Sequence, residues 1–126
     1  MRLLILFILT IPSLAFAECY VVGDLKGYSV RESDNYVISK DGISSQKYII
    51  EINGDNSSVT PNDLECTTAG DNALLCLDKS AGNQTTIETW SVYPSKNKVV
   101  YTKTINGYGV FNGANMFVGN IKGKCN

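Results

Sequence analysis

The sequence predicts an all-β domain, a small antiparallel β-barrel or sandwich of meander type with about eight short strands and two disulfides. Three observations carry that expectation. Short runs rich in β-branched and aromatic residues alternate with Gly, Asn, Asp and Pro, as strands alternate with turns. No stretch sustains an apolar repeat of 3.6 residues. Four cysteines, Cys19, Cys66, Cys76 and Cys125, give an even count in a short chain, the pattern of a disulfide framework in an exported protein.

Residues 1–17 (MRLLILFILTIPSLAFA) read as a cleaved signal peptide. Arg2 is the positive start, Leu3 to Ile11 the apolar run, and Ala15-Phe16-Ala17 the small-residue cleavage site. The run is shorter than the roughly 20 residues that span a bilayer. Glu18, a bulky acid before Cys19, argues against cleavage and lipidation at that cysteine. Taking seventeen from 126 leaves a mature chain of 109 residues, 18–126, one domain's worth. The expected location is the periplasm or the outside of the cell, with no membrane anchor after cleavage.

Along the mature chain, Cys19–Gly23 and Tyr28–Glu32 suggest a hairpin around Asp24–Gly27. Tyr36–Ser39 follows, ending at the turn dipeptide Asp41-Gly42. Lys47–Asn53 alternates, with Tyr48, Ile50 and Ile52 on one face. Residues 53–63 are a polar loop, and a short helical turn fits Thr60–Leu64. Leu64–Thr68 and Leu74–Asp78 flank a five-residue loop, Ala69 to Ala73. After the loop Lys79–Gln84, Thr85–Tyr93 is the clearest strand, and Lys98–Ile105 returns across the turn Pro94–Asn97. The last strand, Asn115–Lys124, sets Phe117, Gly119, Ile121, Gly123 and Cys125 on one face.

Four cysteines allow three pairings. Cys19–Cys125 with Cys66–Cys76 suits the strand order best. The first bond would lay the first and last strands side by side, and the second would cross-link a hairpin. Zinc is disfavoured by the absence of close cysteine pairs and of any histidine. Asp55-Asn56 and Asp71-Asn72 fall short of a calcium loop. No metal and no cofactor are expected.

Without Arg2, ten basic groups face twelve acidic ones, a net charge of −2. The charges are scattered, with no run of one sign, so nucleic acid is not an expected partner. The absence of histidine excludes Ser-His-Asp and Cys-His catalysis. Gly107, Gly109 and Gly113 match no phosphate-binding motif. Glu51 and Glu88 are acids in mid-strand, and alternation is expected to point them outward. No enzymatic activity is expected.

Ile105–Met116 (INGYGVFNGANM) has two Asn-Gly turns around Tyr108, Val110 and Phe111. These aromatics either fold into the core or form a loop offered to a partner. Tyr108, Phe111 and Tyr93 are the candidate partner-binding residues. Trp90 and Tyr101 are expected first in the core. Sequons at Asn56 and Asn83 sit in loops and matter only in a eukaryotic secretory pathway.

In layout the chain resembles small periplasmic inhibitors of lysozyme: a leader, about a hundred residues, a β-barrel and a terminal disulfide. The resemblance covers architecture and carries no site residues. The leading functional expectation is a non-enzymatic module, inhibitor-like or immunity-like, that docks on another protein. A lipocalin-like carrier of a small apolar ligand would instead need an internal cavity. A glycan hydrolase would need two carboxylates within about 10 Å of each other.

Overall fold

The computed structural model describes residues 17–78 and 82–126. Residues 1–16, on which nearly all of the expected leader falls, and Lys79–Ala81 of the loop before the clearest strand lie outside the described residues. The rest is an antiparallel sheet of nine strands, eight of which form a nearly closed barrel. They are β1 (Glu18–Arg31), β2 (Ser39–Ile43), β3 (Tyr48–Ile52), β4 (Ser58–Thr60), β5 (Glu65–Thr68), β6 (Ala73–Leu77), β7 (Thr85–Tyr93), β8 (Lys98–Asn106) and β9 (Gly113–Lys124). Among the described residues there is no α-helix, only four short 3-10 turns. No helix there is long and apolar enough to cross a membrane.

The order around the barrel is β4-β3-β1-β9-β8-β7-β6-β5, with β2 also on β1. A single bridge between Ser57 and Cys66 joins the outer ends of this order, which nearly closes the sheet. The first and last strands of the chain, β1 and β9, pair within this order.

The expected hairpin around Asp24–Gly27 does not form. β1 instead runs unbroken for 14 residues and bends through a bulge. Asp24 takes the left-handed φ of 57°, and the register against β9 shifts between Gly23 and Lys26. The turn-forming residues are spent on re-aiming one strand rather than reversing it. That bend lets β1 pair with β3 through residues 18–22 and with β2 through residues 25–29. At Gly27 a Cβ would overlap the backbone oxygen of Met116, so β9 can approach only a glycine there. Asp41-Gly42, expected as a turn, lies inside β2. Residues 36–38 precede that strand rather than forming one. Thr60–Leu64 forms no helical turn, and β4 ends at Thr60.

Other elements match expectation closely. β3 buries Ile50 and Ile52 with Tyr48 half-buried beside them, and leaves Ile49 and Glu51 exposed. The β5–β6 hairpin sets Cys66 directly opposite Cys76. β7 and β8 pair over their whole length, Thr85 with Asn106 through Tyr93 with Lys98. Both expected disulfides are present, Cys19–Cys125 with Cα atoms 5.3 Å apart and Cys66–Cys76 at 4.0 Å. Gly119 on β9 packs against the backbone of Gly23 and the side chain of Leu25, whereas the site of a Cβ on Gly123 is open.

Side chains fill the centre of the barrel. Trp90, Phe117, Leu25, Ile50, Leu74, Val22 and Val99 are the largest fully buried ones, as expected where a barrel of about eight strands is just wide enough for its own residues. Tyr48, Trp90, Tyr101 and Phe117 form a chain of tilted ring contacts, with centroids 5.1, 4.2 and 5.8 Å apart in turn.

Candidate functional site

The two ends of the barrel differ in chemistry. At one end the Cys19–Cys125 bond and a hydrogen bond from Cys125 N to Cys19 O, 3.1 Å, hold β1 against β9. At the other end the inward side chains turn polar, and a cavity of about 360 Å³ opens between β7–β9, Ile43, Tyr48 and the segment 61–64.

Strand register builds this pocket. Leu74, Trp90, Tyr101 and Phe117 lie side by side on β6, β7, β8 and β9 and make an apolar layer. Two residues further toward the open end, Cys76, Glu88, Lys103 and Asn115 lie side by side in the same order. A period of two then puts both rows on the inner face. Glu88 was expected to point outward; it points inward and is 6 % exposed. Its phase is that of Thr86, Trp90 and Val92, all buried, so the core-seeking tryptophan fixes the direction of the acid.

Three neutral donors hold the Glu88 carboxylate. Asn62 Nδ2 and Trp90 Nε1 donate to Oε2 at 2.7 and 3.1 Å, and the Tyr101 hydroxyl donates to Oε1 at 3.2 Å. Lys103 Nζ stands 3.9 Å from Oε1, with its side chain about one-third exposed. Arg31 closes the side of the pocket, donating from Nη2 to Asn115 Oδ1 at 2.5 Å and from Nη1 to Ala114 O at 3.1 Å. Glu88 is the sole acid among the residues lining this cavity. Among the described residues no group of three metal-ligating side chains comes together.

Burial and the adjacent Glu88 charge both raise the Tyr101 and Tyr48 phenols above their ordinary range. At the opposite end, burial and a hydrogen bond to Glu18 push Tyr20 up to about 12. A folded-state pKa above the unfolded value of about 10 favours folding fully below pH ~10, and that contribution is lost as pH rises further. Stability measured by denaturant titration should therefore hold to about pH 10 and fall toward pH 12, and Tyr20→Phe should reduce the fall. A flat profile across that window would sink this account of the buried phenols.

The three candidate partner-binding residues do not form one site. Phe111, on the 3-10 turn Gly109–Phe111, is 68 % exposed at the open end. Tyr108 next to it is half-buried, its hydroxyl 3.3 Å from Asp78 Oδ2 and 3.5 Å from Thr86 Oγ1. Tyr93 is exposed but lies at the end of β7 beside the turn Pro94–Lys96, across the barrel from the other two.

Sequence reasoning missed a second feature of the open end. The segment Tyr36-Val37-Ile38 is exposed throughout, and both Asn35 and Tyr36 hold left-handed φ values, 52° and 60°. Such a φ is uncommon for a bulky aromatic and marks a backbone held by its surroundings. Tyr36 N donates to Arg31 O and Glu32 N to Asn112 O, each at 2.9 Å, so this turn is tied to the Gly109–Phe111 turn. Ile38 with Tyr28 and Met116 lines an adjoining groove of about 380 Å³.

Charge also sorts by strand, although no run of one sign exists. From Glu51 to Asp78 there are six acids and no base, and from Thr89 to Asn126 five lysines and no acid. The acids lie on β3, on β5 and in the connections around β4–β6, whereas the lysines lie on β8, on β9 and in the turn before β8. Compared with known proteins, the chain matches no family model, no curated protein and no solved structure.

Proposed function

We propose that this is an exported, non-enzymatic binding module that docks on another protein through the rim of its open end. One observation carries the reading: exposed large apolar side chains gather there. Tyr28, Val37, Ile38, Val110, Phe111 and Met116 are between 48 and 72 % exposed on neighbouring elements. Scattered apolar residues are ordinary on a surface, whereas a contiguous patch marks an interaction site. The strained turn at Asn35-Tyr36 supports it, because backbone strain of roughly 1–3 kcal/mol per residue persists where the surroundings impose it and clusters at functional sites. A centre filled by Trp90, Phe117 and Leu25 favours docking at the surface over carriage of an apolar ligand inside. The lone carboxylate of the pocket gives no support to a two-acid hydrolase. The leader and two disulfides fit export to an oxidising compartment.

The test compares the exported protein with an Ile38→Ser/Phe111→Ser variant, each immobilised against extract of its own compartment. Partner retention should fall at least about tenfold, in keeping with losses of more than ~1 kcal/mol at interface anchors. The melting temperature should barely move, since exposed substitutions usually change stability by about 0.5 kcal/mol or less. Equal retention of every captured protein, or collapse of the variant's fold, would count against the rim.

A further inference from the structure

We propose that the open-end pocket is a binding site for a primary alkylammonium group, with Glu88 as its anionic acceptor and Tyr48, Trp90 and Tyr101 as its walls. The inference does not rest on docking at the rim; either can fail alone.

The Glu88 carboxylate offers about four lone-pair positions. Asn62 and Trp90 occupy Oε2, and Tyr101 occupies one position on Oε1. The remaining position on Oε1 belongs to the cavity, where Lys103 Nζ at 3.9 Å is too distant for a hydrogen bond. A buried carboxylate thus keeps one acceptor position that neither cation beside the pocket fills: Lys103 is loose and partly exposed, and Arg31 is engaged with Asn115 and the backbone oxygens of Val30 and Ala114. An N–H donor that carries positive charge satisfies both needs at once, in the stronger, charge-assisted kind of hydrogen bond. Tyr48, the half-buried ring of the three, borders the cavity and can add attraction for a cation, while Trp90 and Tyr101 pack behind the acid.

The alternatives fit less well. An anion could be drawn by Lys103 and Arg31, but it has no N–H for the open Oε1 position and would face the Glu88 charge. A quaternary ammonium has no N–H to give the open Oε1 position. A neutral alcohol would leave the charge where it was. The cavity, about 360 Å³, has room for an ammonium head with a short alkyl stem. Lys103 is then an internal competitor: its flexible stem can swing its ammonium into water as the ligand enters. The same head group occurs on a free amine and on a lysine side chain of another protein.

Trp90 is the only tryptophan of the chain, so its fluorescence reports on this pocket alone. The exported protein, with its disulfides formed, is titrated with n-butylammonium chloride at constant ionic strength. The expected result is a saturable change in Trp90 emission. Lys103→Met should tighten binding by about fivefold or more, and Glu88→Gln should weaken it by at least about tenfold. n-Butanol and sodium butyrate should give no saturation. Nα-acetyl-lysine N-methylamide binding as well as butylammonium would assign the site to a lysine on a partner; butylammonium binding alone would assign it to a free amine. If circular dichroism shows that Glu88→Gln does not fold, Lys103→Met decides. No saturable signal in wild type or Lys103→Met, unchanged or weaker affinity in Lys103→Met, or equal binding of butanol or butyrate overturns the proposal.

Discussion

Replacing both Cys19 and Cys125 with serine should lower the stability of the barrel by about 4–5 kcal/mol, and its melting temperature by roughly 20–30 °C. The bond spans a sequence separation of 106 residues. In the chain-entropy account, a loop of about 100 residues is worth about 4.7 kcal/mol, against a little under 3 kcal/mol for a loop of about ten. The Cys66–Cys76 bond, with a separation of 10, is of the second kind. Removing it should therefore cost visibly less. The ladder between β1 and β9 pairs residues 20–31 with 113–124, so it brings together the most distant parts of the chain and its closure entropy is large. The bond beside that ladder removes this cost from folding.

The two bonds should also open in a fixed order. Cys66 and Cys76 are buried, 7 and 0 % exposed, whereas Cys19 and Cys125 are half-buried at the stapled end of the barrel. Thiol–disulfide exchange needs access to sulfur. Mild reductant on the folded protein should open Cys19–Cys125 first, and calorimetry should then show most of the loss seen in the double serine variant. Equal melting temperatures with and without that bond would mean that β1 and β9 are held by their ladder and core contacts alone.

What could be read from the sequence was local pattern; what could not was how a residue's local preference is used by its neighbours. Alternation placed Ile50 and Ile52 inside β3 and Phe117 inside β9 because one face of each strand is apolar. Opposed cysteines and a loop of odd length fixed the β5–β6 register. Asp24 and Gly27 misled because turn chemistry serves a bulge as well as a reversal: both need a left-handed φ or a close backbone approach, and only the presence of β9 beside β1 tells them apart. Asp41-Gly42 misled in the same way, since β2 is held by pairing with β1 rather than by its own propensity.

The candidate site shows a similar division. Glu88 two residues before Trp90 already carried the needed signal, because residues in that relation share a strand face. Reading the tryptophan as core therefore required the acid to point inward. Lys103 two after Tyr101, and Asn115 two before Phe117, repeat the relation on β8 and β9. Each strand alone looks like an apolar face with one polar intruder. Only the register, which sets Glu88 beside Lys103 and Lys103 beside Asn115, turns three intruders into one pocket. The rim segment 36–38 had no such signal, since nothing local distinguishes a strand-like Tyr-Val-Ile from one held out in solvent by a strained turn.

Glu88→Ala should be the most damaging single substitution at the pocket, lowering stability by roughly 3–6 kcal/mol. The loss has two parts. Removing the carboxylate leaves Asn62 Nδ2, Trp90 Nε1 and the Tyr101 hydroxyl without their acceptor, and the two buried donors, on Trp90 and Tyr101, cost about 1–3 kcal/mol each when unpaired. Truncation also leaves space beside the Trp90 ring, which is 1 % exposed and cannot easily collapse into it. Glu88→Gln keeps one acceptor oxygen and most of the volume, so it should cost far less. Lys103→Met should cost least, because an ion pair at 3.9 Å with one partner a third exposed contributes about 1 kcal/mol or less. The expected order of stability is Lys103→Met, then Glu88→Gln, then Glu88→Ala, read from denaturant midpoints. The Tyr101 and Tyr48 phenols should ionise more readily in both Glu88 variants, since the carboxylate charge that helps hold them protonated is gone. A Lys103→Met protein as unstable as Glu88→Ala would show that the acid is held by its lysine and not by the three neutral donors, and the open acceptor position on Oε1 would then be an ion pair in disguise.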